Sequence, residues 1–280
     1  MIDVLQKVAI QGILGSFHHQ VALEIFPGLQ EDGIEECLSF RQLVQDLASD
    51  KTQKAVMAIE NSIAGAILPN FTLIDQNNLH ITGEHYLNIK MNLMALPGQS
   101  LSEIKEVHSH PMALLQCEEF FRKQPHLKLV ESDDTAASAK YIQENQLKNI
   151  AAIAGSHAAT LYDLEILSKG INTVKNNQTR FVVLSNSPGA IEKEIIDKAS
   201  LKFELEHTQG SLATVLNVMN NCNMSLTKIQ SLPNIEVPFQ YIFFVDVTFE
   251  NYTHFEKAKQ VLEILTSQFK VLGEYKSGNR

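Results

Sequence analysis

The sequence predicts an α/β fold: a cleft-forming domain on parallel strands, followed by a small ferredoxin-like βαββαβ module. Three observations lead there. From Val8 to Leu184, short apolar runs alternate with helical patterns. The apolar runs lack polar alternation, as strands buried on both faces do, and each ends in a polar cluster that opens a helix. Over residues 199–277 the order changes to strand, helix, strand, strand, helix, strand.

Taken in order, Val8-Ala9-Ile10 reads as a strand, Gly12 to Ser16 as a turn and Phe17 to Ile25 as a helix. Ala55 to Ile59 is a second strand, ending in Glu60-Asn61-Ser62. Val107-His108-Ser109 is a third, and Pro111 opens a helix over Met112 to Arg122, a position where its missing N–H costs nothing. Leu129-Val130-Glu131 leads through Asp133-Asp134-Thr135 to a helix over Ala136 to Asn145. Ile150 to Ala154 leads through Gly155-Ser156 to a helix over His157 to Tyr162. Residues 185–198 carry the turn-rich Ser185-Asn186-Ser187-Pro188-Gly189-Ala190 and read as a linker. Beyond it lie strands at Ala199 to Leu205, Ser225 to Ser231, Phe239 to Val247 and Lys270 to Tyr275. Helices over Ser211 to Asn221 and His254 to Ser267 separate them.

The 280 residues suit two domains, and 44% hydrophobic content fills two cores. No apolar run reaches the roughly 20 residues of a membrane span. The start, Met1 to Ala9, lacks the basic and apolar stretches of a signal peptide, so a cytoplasmic protein without membrane contact is expected. A net charge of -9 leaves no basic stripe for nucleic acid. It still permits an anionic small ligand, which a few local donors can hold. Cys37, Cys117 and Cys222 are widely separated, which points to reduced thiols rather than a disulfide or thiolate zinc site.

The polar clusters at strand ends are the candidate site. Open α/β sheets bind ligands there, and helix N-terminal amides favour anions. Thr179-Arg180-Phe181 follows the polar loop Asn176-Asn177-Gln178. An Arg there can clamp a carboxylate through two hydrogen bonds, and a Thr hydroxyl can reach a reacting oxygen; a capped loop with a surface Arg is the plain alternative. Glu60-Asn61-Ser62 can line a cleft or simply cap a helix. His110 can serve as acid, base or carboxylate ligand. His108 and His110 share a strand face, but nothing nearby completes a metal set, and no metal is expected. His18 and His19 read as helix surface. Gly12-x-x-Gly15-Ser16 lacks both the dinucleotide and the phosphate-loop spacing, so it reads as a tight turn or an anion-holding nest.

These segments, in this order, resemble prephenate dehydratase. The resemblance rests on Gly12 to Phe17, Val56 to Ser62, Gly83-Glu84, Ser109-His110-Pro111 with Ala113 and Gln116-Cys117, Thr135-Ala136-Ala137, Ala151 to Ala159 and Asn177-x-Thr179-Arg180-Phe181. Gly210-Ser211-Leu212, Leu226-Thr227-Lys228-Ile229 and Tyr241-x-Phe243-Phe244-x-Asp246 extend it through the second module. It implies a two-lobed periplasmic-binding-protein-like catalytic domain over 7–184, followed by an ACT domain over 199–277. Lobe 1 would take about 7–78 plus 173–184, and lobe 2 about 81–167. It implies Thr179, Arg180 and Phe181 as catalytic residues, with Ser16, Glu60, Asn61, Ser62, Ser109, His110 and Thr135 binding substrate. It implies Gly210, Ser211, Leu212, Gln230, Ser231 and Pro233 as an effector site for L-phenylalanine. The family's Gly-Pro-x-Gly-Thr turn is here Gly12-Ile13-Leu14-Gly15-Ser16, and its Glu-Ser-Arg-Pro is Gln230-Ser231-Leu232-Pro233.

The implied reaction is decarboxylative dehydration of prephenate to phenylpyruvate, a carbon–oxygen lyase step that needs no cofactor because aromatisation drives it. A homodimer or homotetramer is implied, since ACT modules pair their sheets. No helical segment of the chorismate mutase kind precedes the first strand. Two other readings stand beside it: an arogenate dehydratase, or a non-enzymatic amino-acid sensor, against which the intact Thr179-Arg180-Phe181 argues.

Overall fold

The computed structural model describes residues 7–206, 208–234, 237–238 and 240–278. In chain order the strands and helices are β1 (Val8–Gln11), α1 (Phe17–Ile25), β2 (Ile34–Cys37), α2 (Phe40–Ala48), β3 (Lys54–Asn61), β4 (Gly65–Ala66), α3 (Leu68–Gln76) and β5 (His80–Asn88). There follow β6 (Asn92–Ala95), β7 (Glu106–Ser109), α4 (Pro111–Gln116), α5 (Glu118–Arg122), β8 (Lys128–Glu131), α6 (Thr135–Glu144), β9 (Ile150–Ala154), α7 (Ser156–Leu161), β10 (Glu165–Ser168) and β11 (Gln178–Ser185). The last are β12 (Lys198–Glu204), α8 (Ser211–Asn221), β13 (Ser225–Pro233), β14 (Tyr241–Thr248), α9 (Tyr252–Leu265) and β15 (Ser267–Tyr275). The chain divides into two compact units, Met1–Ala66 with Tyr86–Phe181, and Ile67–His85 with Val182–Arg280.

One sheet runs β2-β1-β3-β11-β5, with β4 folded back on β3; residues 80–85 of β5 and 182–185 of β11 count with the second unit. Val8, Ala9 and Ile10 are fully buried, as are Ala55, Val56 and Met57, which is why these strands read as unbroken apolar runs. Strand β2 is the edge; only Cys37 of its four residues is buried, so its sequence is polar. Leu43, Val44 and Leu47 form the buried stripe of α2. A second sheet runs β10-β6-β9-β7-β8. Strands β7, β8 and β9 are parallel, so their carboxyl ends share one edge. Strand β6 alone runs the other way, antiparallel to both its neighbours β9 and β10, against the all-parallel expectation.

Two further expectations differ. The segment from about residue 81 does not open the second sheet, which starts at β6; β5 is a strand of the first. The helix expected over Met112 to Arg122 breaks at Cys117, whose φ of −109° and ψ of 16° leave the helical region, giving α4 and α5.

The second unit contains the βαββαβ order, β12-α8-β13-β14-α9-β15, folded as an antiparallel sheet β13-β14-β12-β15. Strand β12 alternates with period two. Ala199, Leu201 and Phe203 join Val215, Met219, Phe255, Ala258 and Leu262 of α8 and α9 in one core. Lys198 and Lys202, on the opposite face, meet acids of residues 67–85. The Lys198 ammonium lies 2.8 Å from the Glu84 carboxylate with both side chains buried, and Lys202 lies 2.7 Å from Asp75. Lys270 holds the other Asp75 oxygen at 2.9 Å, and the Phe71 ring packs 5.3 Å from Phe244. The sheet face away from α8 and α9 therefore carries α3. A Cβ on Gly273 would sit 2.1 Å from the Ile81 carbonyl oxygen, so only glycine lets β15 approach there. The expected start of the third strand at Phe239 falls outside the described residues. Among the described residues no helix is long and apolar enough to cross a membrane.

Candidate functional site

The turn after β1 needs left-handed backbone at Gly12 (φ +93°) and Gly15 (φ +87°). Gly12 N–H donates to the Cys37 carbonyl at 2.8 Å and Gly15 N–H to His19 Nδ1 at 2.9 Å. Ser16 is buried and caps α1, accepting from His19 N–H at 3.2 Å. A Cβ on Gly12 would meet Asp134 Oδ2 at 3.4 Å, and the Tyr162 hydroxyl donates to the Leu14 carbonyl at 2.6 Å. The turn thus meets residues of α7's C-terminus and the α6 N-cap.

His18 and His19 are not helix surface, as expected from sequence, but buried. His18 Nε2 accepts from Ala58 N–H at 3.2 Å, and the ring packs against Phe40 and Phe181. Burial pushes its pKa down to about 3. Burial, and then the His157 ring, lower His19 to about 4. Both are neutral at pH 7. The signal missed was the glycine turn, which swings the first turn of α1 inward.

At the carboxyl end of β3, the same edge of the sheet as the turn after β1, the polar residues converge. Asn61 Oδ1 accepts from the backbone N–H groups of Ile63 (3.0 Å) and Ala64 (2.9 Å). This is a side-chain-closed turn into β4 rather than the helix cap expected there. Its Nδ2 donates to Asn177 Oδ1 at 2.6 Å and to Thr179 Oγ1 at 2.9 Å. Ser62 is exposed and exchanges hydrogen bonds with Gln178, its N–H donating to the carbonyl at 2.8 Å and its Oγ accepting from the N–H at 2.9 Å. Glu60 is half-buried and pairs with Ala66 in the ladder. Thr179 is 8% exposed, Arg180 4% and Phe181 1%. Strand alternation sends Arg180 to the face opposite Thr179 and Phe181. Phe181 packs edge-on at 5.0 Å against His18, a core position rather than one for contact with substrate.

The second sheet supplies the other expected residues at the shared edge of β7, β8 and β9. Ser109 is fully buried and donates to the Ile153 carbonyl at 2.7 Å, locking β7 to β9. His110 Nδ1 accepts from Met112 N–H at 3.2 Å and caps α4. Thr135 is the first residue of α6; the cap is Asp134, which accepts from Ala137 N–H at 2.8 Å. His108 bonds Glu106 at 3.2 Å, and among the described residues no three His, Cys, Asp or Glu side chains are grouped to hold a metal ion. Two residues not expected in the site connect its halves. Asn177, fully buried, donates from Nδ2 to Gln116 Oε1 at the end of α4, at 3.1 Å. The three cysteines are free, and burial raises the Cys37 and Cys117 thiols to about 12.

In the second unit Gly210 takes φ +85° at the cap of α8, placing Ser211 and Leu212 in its first turn. They line an 80 Å³ cavity with Leu205, Gln240, Tyr241 and Phe243. Gln230, Ser231 and Pro233 lie on edge strand β13 and do not line it. The two halves of the expected effector site are not joined in that cavity.

Several known proteins resemble this chain. It is 35% identical over 96% of its length to arogenate dehydratase 3 of Arabidopsis thaliana, and spans 66% of that protein, just under two thirds. A structure described as GqqA, a quorum-quenching acylase, superposes with a TM-score of 0.86 at 26% identity, covering 97% of this chain and 98% of that one. The prephenate dehydratase of Arthrobacter aurescens, in complex with L-Phe, superposes with a TM-score of 0.85 at 25% identity, covering 96% and 89%. The family model for prephenate dehydratase matches residues 8–189. This chain belongs to the prephenate dehydratase family.

Proposed function

We propose that the chain catalyses decarboxylative dehydration of prephenate to phenylpyruvate, carbon dioxide and water. Prephenate is a dianion. Loss of carbon dioxide and hydroxide leaves the phenylpyruvate anion, and one proton turns the hydroxide into water. The protein's task is to orient the departing carboxylate and supply a donor to the leaving oxygen. The observation that carries the reading is Thr179, nearly buried and held by Asn61 at the meeting of β3 and β11. A neutral Thr assists by hydrogen bonding and charge stabilisation more than by full proton transfer. Arg180, buried on the face of β11 opposite Thr179, braces the strand. Ser16, Ser62, His110 and Thr135, with the helix N-terminal amides beside them, hold the pyruvyl side chain and its carboxylate, and Ser109 braces the edge they stand on through the Ile153 carbonyl. Closure of lobe 2 on lobe 1 excludes water.

Arogenate, in which an amine replaces the keto group, is the second reading, supported by the plant relative. The C-terminal module is proposed to be an ACT domain that senses phenylalanine across paired chains. Its βαββαβ order and the L-Phe complex of the Arthrobacter protein support this. The deciding experiment is product formation from purified protein with prephenate and with arogenate, each with and without phenylalanine. Phenylpyruvate from prephenate, suppressed by phenylalanine, is expected. Phenylalanine formed faster from arogenate would move the substrate, and no turnover of either would overturn the enzyme.

A further inference from the structure

We infer that Asn177 is a positioning residue: it fixes the direction of an amide chain so that Thr179 meets the substrate as a hydrogen-bond donor. The inference rests on the proposed reaction and deepens it.

The direction starts from groups that cannot reverse. Backbone N–H groups of Ile63 and Ala64 both donate to Asn61 Oδ1, so that end of the amide must be the carbonyl. The NH₂ end then faces Asn177, the Gln178 carbonyl at 3.3 Å and Thr179 Oγ1. An amide has one accepting end and one donating end. Asn177 must therefore present its carbonyl to Asn61 and its NH₂ to Gln116, which accepts through Oε1. Thr179 Oγ1 accepts from Asn61, and among the described residues no acceptor takes its hydroxyl proton, which leaves that proton for the substrate. At the far end Gln116 likewise keeps its NH₂ outward of the chain. Both ends of the chain are donors, which suits a dianionic substrate with a poor leaving oxygen.

Asn177 is the link that makes this a single arrangement. It is fully buried, and its backbone carbonyl accepts from Ile89 N–H at 2.7 Å, fixing the chain beneath it. A hydrophobic side chain of that size would take the 2.6 Å acceptor from the Asn61 NH₂, leave its two hydrogens to the more distant Gln178 carbonyl and Thr179 Oγ1, and free the Gln116 amide to turn. The residue has no need to touch substrate; it acts through Asn61 and Gln116.

The test uses Asn177→Asp. Ionised, the introduced carboxylate accepts at both oxygens, so Gln116 must turn its NH₂ inward and a negative charge enters the site. Protonated, the carboxyl has the same donor and acceptor pattern as asparagine. The expected result is kcat at least about tenfold below wild type at pH 8, recovering toward wild type as pH falls through a burial-raised carboxyl pKa. A pH profile parallel to wild type in a folded variant overturns the inference. Asn177→Ala removes both bonds without a charge, and keeps the test open if Asn177→Asp does not fold. Its kcat is expected to fall about tenfold with KM changed less, and with no recovery in acid. A kcat within about twofold of wild type overturns the inference. If the wild type turns over neither acid, the reading of the reaction fails, and the chain is tested in Asn177→Asp by NMR of side-chain amides. Asn61 and Gln116 NH₂ signals that titrate with the introduced carboxyl support it, and signals that do not move overturn it.

Discussion

Buried polarity takes two forms in the two units. In the first unit it is mostly neutral: the amides of Asn61 and Asn177, the hydroxyl of Ser109 and the uncharged imidazoles of His18 and His19. Arg180 is the charged exception, 4% exposed. In the second unit ion pairs enter, with Lys198 on Glu84 fully buried and Lys202 and Lys270 on Asp75 partly so, beside the buried hydroxyls of Ser200 and Tyr275. Neutral dipoles hold direction without cancelling the charge of an anionic ligand. Paired charges hold register, because a partner left alone in the interior is costly. On the proposed function, the difference separates residues that shape a reaction from residues that shape a fold.

The most severe test of that separation is Lys198→Ala. It leaves Glu84 buried without its ammonium, and about 3–5 kcal/mol of stability should go, measured by denaturant unfolding. Below its melting temperature the variant should keep wild-type kcat; a large fall in kcat with the fold intact would erase the distinction. Thr179→Ala is the converse. It should cost about 10²–10³ in kcat, roughly 3–4 kcal/mol of barrier, with Tm and KM little changed, and near-normal turnover would remove Thr179 from the chemistry.

A smaller effect separates the neutral imidazoles from ionic pairs by pH. The pKa values of His18 and His19 are depressed on folding, so the unfolded state binds more protons below its value near 6.5. Their stabilisation is complete above that pH and is lost as pH falls toward 4 for His19 and 3 for His18. At pH 5 each should already have lost about 2 kcal/mol. His18→Gln keeps an acceptor for Ala58 N–H without a titrating ring, so its stability should fall less steeply between pH 7 and 5. An identical slope would place the acid sensitivity elsewhere. Smallest is Ser16→Ala, which removes the cap of α1 and should cost about 1 kcal/mol. A KM rise alongside would add substrate contact to the capping role.

Strands such as Val8-Ala9-Ile10 and Ala55 to Ile59 are legible in the sequence because burial on both faces leaves no polar residue in them. Edge strand β2, Ile34–Cys37, is not, because one exposed edge admits two glutamates. Position in the chain places segment 67–85 with the first domain, whereas Phe71, Asp75 and Glu84 pack on the ferredoxin-like sheet. Thr179 and Asn61 stand out as polar residues at strand ends. Asn177 and Gln116 fall within matched motifs, but an asparagine in a polar loop and a glutamine on a helix carry no local mark of a shared hydrogen bond.

The α/β order, the βαββαβ module, the family and the polar strand ends are all written in the linear chain, because they follow from local periodicity and short motifs. Which polar groups meet is a property of the folded molecule. Folding inverts the reading of His18 and His19, sends Phe181 into the core, and sets the direction from Ile63 N–H through Asn61 to Thr179 and Gln116. Hydrogen-bond direction between residues 61 to 118 positions apart depends on where the backbone returns, and no local pattern encodes that.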